Sequence, residues 1–128
     1  MNILKLKKTS NSSYYAYQFS SLAMDILGSF LTSDYGSGWP SYKNWVNSPN
    51  DDGMEGNATG LEKRDNNIII FDILDLIKDE DEAYKNAFII SKVEFLKLLE
   101  KWEALYKLFP NEIMITYDND KLTIEGID

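Results

Sequence analysis

The feature that most constrains the fold is the periodicity of large apolar residues between positions 95 and 109. They recur at intervals of four, three, four and three residues, as Phe95, Leu99, Trp102, Tyr106 and Phe109. This spacing places them on one face of an α-helix. Ser91 and Glu94 match the capping box that begins many helices, and Pro110 ends the helix because proline lacks a backbone N–H. A helix with one apolar face must pack on a second layer.

Apolar runs bounded by turn residues predict that the second layer is β-sheet. The predicted strands cover residues 3–8, 14–19, 61–64, 68–74, 87–90, 112–117 and 121–125. Ser20 or Ser21 is suited to cap a helix that extends to Leu31, and residues 39–46 predict a short helix that begins near Pro40. We expect an exposed loop over 47–60 and a solvated break over 79–82.

The order of these elements is not the regular strand and helix alternation of a parallel α/β fold. It predicts an α+β fold in a single domain over residues 1–128, with a largely antiparallel sheet. One long helix in the C-terminal half and one or two helices in the N-terminal half are expected to pack on that sheet. A chain of 128 residues that is 44% hydrophobic can fill one core. We favour a monomer.

Several absences predict where the protein is found. The chain has no cysteine, so it can form no disulfide, and it gives no sign of an oxidising compartment. The N-terminus has only four residues before its first lysine, which is too few for a secretory apolar segment. No apolar run approaches the roughly 20 residues that span a bilayer. We therefore expect a cytoplasmic protein.

The negative charge of the chain is concentrated in one stretch. Residues 50–82 hold eleven carboxylates and three basic residues, a balance equal to the net charge of −8 of the whole chain. Nucleic acids and anionic membranes are unfavourable partners, because both bind through Lys and Arg. A basic protein is a favourable partner, since complementary fields accelerate association. The alternative is that the charge only maintains solubility.

The composition excludes most common catalytic sites. Without histidine or cysteine the chain has no serine–histidine triad, no cysteine nucleophile and no imidazole or thiolate metal site. Asp72 and Asp75 are the candidates for a carboxylate pair of the kind that cleaves glycosidic bonds. The carboxylates of the loop 50–55 do not follow the calcium-loop spacing. We expect no catalytic residue, no metal and no cofactor.

Aromatic residues beside the acidic stretch are candidates for a protein interface. Rings fill pockets at interfaces while carboxylates pair with Lys or Arg of the partner. Core packing would explain the same aromatic residues equally well. The predicted partner-binding residues are Trp39, Tyr42, Trp45, Asp51, Asp52, Glu55, Asp79, Glu80, Asp81 and Glu82.

The C-terminal part, residues 88–124, resembles a known family. It has a short strand, the pair Ser91 and Glu94, the helix beginning Phe-Leu-Lys-Leu-Leu-Glu-Lys-Trp-Glu at position 95, and the run Phe-Pro-Asn-Glu-Ile-Met-Ile-Thr-Tyr-Asp from 109, before a final strand. This pattern resembles the end of small bacterial immunity proteins of polymorphic or contact-dependent growth inhibition toxin systems. The resemblance implies a cytosolic, non-enzymatic protein that binds and blocks one cognate toxin domain, often a nuclease. It carries no particular functional residues over to this chain.

The leading functional hypothesis is therefore an immunity protein that neutralises a cognate toxin domain. A nuclease must bind phosphates and tends to be basic, so an acidic inhibitor suits it. The first alternative is a carboxylate-dependent hydrolase. The second is an acidic mimic of nucleic acid that blocks a DNA-binding protein.

Overall fold

The computed structural model describes residues 2–9, 14–50 and 52–128. The strands form two antiparallel four-stranded sheets, which confirms the α+β fold class but divides the expected sheet in two. The first sheet has the order β2-β1-β7-β8, with β1 Asn2–Lys8, β2 Tyr15–Phe19, β7 Glu112–Asp118 and β8 Lys121–Ile127. The second has the order β3-β4-β5-β6, with β3 Met54–Glu55, β4 Thr59–Arg64, β5 Asn67–Asp72 and β6 Phe88–Ser91.

Helices α1 and α5 join the two sheets through one apolar core. Helix α1, Leu22–Ser29, contacts β1 and β2 of the first sheet and β5 and β6 of the second. Helix α5, Lys92–Leu108, contacts β8 of the first sheet and β5 and β6 of the second. The predicted stripe of α5 buries Phe95, Leu99 and Trp102, while Tyr106 and Phe109 pack at its margin. The main core is therefore shared by strands of both sheets, by α1 and α5, and by the segment that follows α1.

The predicted serine caps are present at both helices, but the reciprocal half of the capping box is not, because the Ser91 N–H donates to the Asp120 carboxylate at 2.9 Å. The Ser21 hydroxyl accepts a hydrogen bond from the backbone N–H of Met24, and the Ser91 hydroxyl accepts one from the N–H of Glu94. Helix α5 ends at Phe109, which takes a left-handed conformation with φ of 48° immediately before Pro110. None of the helices in the described residues is both long and apolar enough to cross a membrane.

The first helical segment extends beyond Leu31, where the helix was expected to end. A π-helix, Phe30–Tyr35, continues α1 directly, and helix α2, Pro40–Asn47, follows with proline in its first turn. The wider π-helical turn is a departure from regular α-helix that often accompanies functional features. Here it determines the position of Asp34, which is described below.

Two short helices correct the expectation for residues 68–86. Strand β5 ends at Asp72 rather than at 74, and helix α3, Ile73–Lys78, follows it. Residues 79–82 are not a break, because Asp79 caps helix α4, Glu80–Asn86, whose first turn is acidic. Ala83 of α4 packs with Ile69 and Phe71 in a second, small apolar cluster on the outer face of the second sheet. Helices α3 and α4 thus partly cover the side of this sheet that faces away from the main core.

Candidate functional site

The predicted acidic loop is held firmly at its N-terminal end. The buried ammonium group of Lys63 donates to the carbonyl oxygens of Ser48 at 3.0 Å and Asn50 at 2.6 Å. It also lies 4.8 Å from the centre of the Trp45 ring, within range of a cation–π interaction. The indole N–H of Trp45 donates to the carbonyl oxygen of Asp52. The segment that follows α2 is therefore fixed to β4 and to α2.

The C-terminal end of the same loop is fixed by Asp34 of the π-helix. Its carboxylate accepts hydrogen bonds from the backbone N–H groups of Asn57 at 2.7 Å, Ala58 at 3.1 Å and Thr59 at 2.8 Å, and from the Thr59 hydroxyl. Hydrogen bonds to a charged acceptor are stronger than those between neutral groups. Gly56 is required here, because a Cβ at that position would lie 2.3 Å from the Asp34 carboxyl carbon.

Helix α2 is held by a polar network on its other side. Glu103 of α5 accepts hydrogen bonds from the Tyr35 hydroxyl at 2.8 Å and from the Lys43 ammonium at 2.6 Å. Burial raises the pKa of Glu103, but the hydrogen bonds from Lys43 and Tyr35 outweigh it and leave the pKa below its ordinary value. Burial, together with the bond to Glu103, raises the pKa of Tyr35. The helix that carries Trp45 is thus anchored to α5.

Strand β3 lies at the edge of the second sheet and separates two open clefts. The first cleft, of about 260 Å³, lies between Trp39 and the segment Glu55 to Asn57. The second, of about 640 Å³, lies between β3, β4 and α3, and its apolar lining is Met54, Leu61, Phe71 and Leu76. Met54 and Glu55 border both clefts. The structure therefore brings Trp39 and Glu55, which were both predicted at the site, to one cleft.

The aromatic predictions have different outcomes. Trp39 is 61% exposed at the rim of the first cleft, as an interface residue requires. Trp45 is half-buried against the core and binds the loop backbone. Tyr42 was expected to be a candidate anchor, but it is only 2% exposed and packs edge-on against Phe30. Burial raises its pKa to about 12. Tyr42 therefore belongs to the core and does not present its ring to a partner.

The predicted carboxylates lie on this side of the molecule in two groups. Asp52 and Glu55 are exposed on the loop, whereas Asp79, Glu80, Asp81 and Glu82 are exposed where α4 begins. None of the six takes part in an ion pair among the described residues. Asp79 has a structural role as well, because its carboxylate accepts hydrogen bonds from the backbone N–H groups of Asp81 and Glu82. Asp51 lies outside the described residues.

The candidate hydrolytic pair, Asp72 and Asp75, is found at the start of α3. The Asp72 carboxylate accepts hydrogen bonds from the N–H groups of Leu74 at 2.8 Å and Asp75 at 3.4 Å, so it caps the helix. Both residues border a separate cleft of about 240 Å³ together with Asp25. Across the described ranges, no group of three or more acidic side chains is arranged to hold a metal ion.

The sequence reasoning missed the exposed apolar residues of α3. Leu74 and Ile77 are 65% and 76% exposed, and Leu76 borders the second cleft. They were placed in, or just after, a predicted strand. The pairs Asp72 with Asp75 and Asp79 with Glu82 are spaced as helix caps and were the signals that could have revealed α3 and α4.

Comparisons of the chain with protein-family models, with curated proteins and with solved structures find no match. The functional inference therefore depends on the surface formed by the loop, β3, α3 and α4.

Proposed function

We propose that this protein is a non-enzymatic immunity protein that binds and neutralises a basic toxin domain, such as a nuclease, in the cytosol. The observation that carries the proposal is the set of six exposed carboxylates that form no ion pair among the described residues. Exposed carboxylates that form no ion pair within the chain are available to pair with Lys or Arg of a partner. The resemblance of residues 88–124 to immunity proteins supports the same class.

The distribution of the charge supports binding of a positively charged surface. Three basic residues lie between the two acidic groups in the sequence. Lys63 is buried and donates to carbonyl oxygens of the loop, Arg64 is paired with Glu62 at 2.8 Å, and Lys78 is exposed. At physiological ionic strength the field of exposed charges extends over a Debye length of about 8 Å. A basic partner is therefore attracted before contact, which raises its association rate.

The rigidity of the loop also supports a binding role. Lys63, Trp45 and Asp34 hold its backbone at both ends before any partner arrives. Little conformational entropy then remains to be lost on association, and preorganisation of this kind increases affinity. The exposed indole of Trp39 lies beside the fixed loop, as an aromatic anchor at an interface does.

The proposal is tested with the protein encoded next to this chain in its genome. The two proteins are co-expressed, co-purified and titrated by calorimetry and stopped-flow kinetics at low and physiological ionic strength. We expect a complex, protection of cells from the neighbouring gene product, and an association rate that falls steeply with salt. Absence of a complex and of protection would refute the proposal.

A pair of charge-reversal variants separates the proposed surface from net charge. The first variant reverses Glu80, Asp81 and Glu82 to Lys and leaves Asp79 unchanged because it caps α4. The control reverses three carboxylates on other elements, Glu100, Asp118 and Glu125, and changes the net charge equally. We expect roughly tenfold slower association for the first variant and a much smaller change for the control. Equal effects would show that overall charge, and not this surface, governs binding.

A further inference from the structure

We infer that the cleft between β3, β4 and α3 seats one large apolar side chain of the partner, flanked by Lys or Arg on the partner chain. The inference rests on the proposed function and identifies the contact that anchors the complex. The inference adds an uncharged contact to the electrostatic surface, so it can be tested separately from the exposed carboxylates.

The cleft has the shape of a side-chain pocket because of Gly60. Gly60 lies directly opposite Phe71 in the β4–β5 ladder, and Glu55 of β3 pairs with Gly60 on the other side. With no side chain at this position, space remains beside Phe71, which is 3% exposed and contributes only its edge to the cleft. Leu76 of α3 borders the same cleft. An apolar surface with an aliphatic border is the environment that a buried apolar anchor requires.

The apolar surface continues beyond the cleft along α3. This six-residue helix has no buried residue, and Leu74 and Ile77 are 65% and 76% exposed. Removal of exposed apolar surface from water by a partner favours association. Large aliphatic residues adjacent to an apolar cleft, and rimmed by polar groups, are typical of a protein interaction site.

The charges around the cleft identify its occupant. Glu55 borders it directly and forms no ion pair among the described residues, whereas Glu62, which also borders it, is already paired with Arg64. The acidic first turn of α4 follows α3. A second copy of this chain would oppose carboxylates with carboxylates in a symmetric dimer, which is unfavourable. An anionic lipid surface would be repelled for the same reason. The occupant is therefore a protein segment that carries an apolar side chain and neighbouring basic residues.

The test uses defined peptides, so it does not depend on the identity of the toxin. The probe is acetyl-Lys-Leu-Trp-Leu-Lys-amide, titrated into the ¹⁵N-labelled full chain and followed by NMR. One comparison peptide replaces both Lys by Glu, and another keeps both Lys but replaces the apolar residues by Ser. We expect saturable shifts of the backbone amides at Gly60, Leu61, Phe71 and Leu76 with the first peptide, and much weaker shifts with the other two.

Two variants alter the cleft by different means. Gly60→Leu is designed to fill it, and a Cβ at this position meets nothing closer than 3.7 Å, so the backbone leaves room for the first atom of a side chain. Leu76→Gln makes its border polar without adding charge. The control is Leu108→Gln, which changes a leucine that is 78% exposed on α5. We expect each cleft variant to bind the probe at least roughly fivefold more weakly, and the control to bind it unchanged.

Several outcomes would overturn the inference. They are shifts centred elsewhere on the molecule, equal binding of the Glu peptide, unchanged binding by both folded cleft variants, or dimerisation of the chain that is abolished by Leu76→Gln. Thermal unfolding establishes that each variant is folded. A neighbouring gene product that binds the Leu76→Gln variant at full affinity would also overturn it and leave the proposed function intact. If that product binds no form of the chain while the probe binds the cleft, the proposed function is refuted and the inference about the cleft is not.

Discussion

Replacement of Asp34 by alanine tests how the acidic loop is held in place. The carboxylate accepts hydrogen bonds from three consecutive backbone N–H groups, at Asn57, Ala58 and Thr59, and from the Thr59 hydroxyl. Asp34→Ala removes all of these acceptors at once. If the loop is fixed by Asp34, the protein loses stability although it also loses one negative charge from an already acidic chain.

The size of the effect follows from the number of bonds. A hydrogen bond to a charged group contributes about 1.5–3 kcal/mol to stability. The three backbone bonds are not additive, and Asp34 is only half-buried, so water replaces part of what is lost. We therefore expect a loss of about 2–4 kcal/mol in the free energy of unfolding. At about 4 °C per kcal/mol for a chain of this size, the midpoint of thermal unfolding falls by about 8–16 °C.

The measurement combines urea unfolding with amide hydrogen exchange. Exchange at Asn57, Ala58 and Thr59 should accelerate more than exchange in α5, because the loop is released locally as well as globally. Asp118→Ala is the matched control, since this exposed aspartate accepts no side-chain hydrogen bond among the described residues. It should change stability by less than about 0.5 kcal/mol. If Asp34→Ala is as stable as the control, or more stable than the parent, the reasoning is wrong.

Three further predictions concern the residues around the site. Glu103→Gln should be less stable than the parent protein at neutral pH when measured by urea unfolding. The difference in stability should shrink as the pH falls below 4.5, because a carboxylate with a lowered pKa stabilises the fold only while it is ionised. Gly56→Ala should lose about 1–3 kcal/mol in the same assay, since its Cβ meets a carboxylate. An unchanged melting temperature of Gly56→Ala would contradict the close approach of Gly56 to the Asp34 carboxylate. Burial raises the pKa of Tyr15, Tyr42 and Tyr117 to about 12. Ultraviolet titration should therefore show that these tyrosines ionise near pH 12, and the stability of the protein should fall between about pH 10 and 12. Ionisation near pH 10 in the folded protein would contradict their burial.

The parts of the fold that could be predicted from sequence are those with a local signal. The stripe of α5, its serine cap and the proline beyond it determine that helix without reference to the rest of the chain. The hairpin of β4 and β5 likewise follows from the two predicted strands 61–64 and 68–74, and Asp65 in the turn between them has a φ of 56°. Strand pairing between distant segments has no local signal. The pairing of β1 with β7, which divides the strands into two sheets, could not be read from either strand alone.

The candidate site was only partly predictable for a similar reason. The acidic character of the surface is a property of composition, so it was visible in the sequence. The exposed side of α3 was not, because an apolar run of six or seven residues fits a buried strand and a short helix equally well. The burial of Tyr42 depends on its ring contacts with Phe30 and Tyr35, and both of these residues lie on a π-helix that has no sequence signature.

The hydrogen bonds that fix the loop have a consequence for how the loop sequence can change during evolution. Nearly all of the hydrogen bonds that fix the loop are made by its main-chain atoms. These are the carbonyls of Ser48, Asn50 and Asp52 at one end, and the N–H groups of Asn57 and Ala58 at the other. A main-chain carbonyl is present in every amino acid, and a main-chain N–H in every amino acid except proline. Exposed side chains between the two fixed ends, other than at Gly56, can therefore be exchanged while the loop keeps its backbone conformation. Such a loop can follow a changing partner through substitution alone, without a new fold for each new specificity.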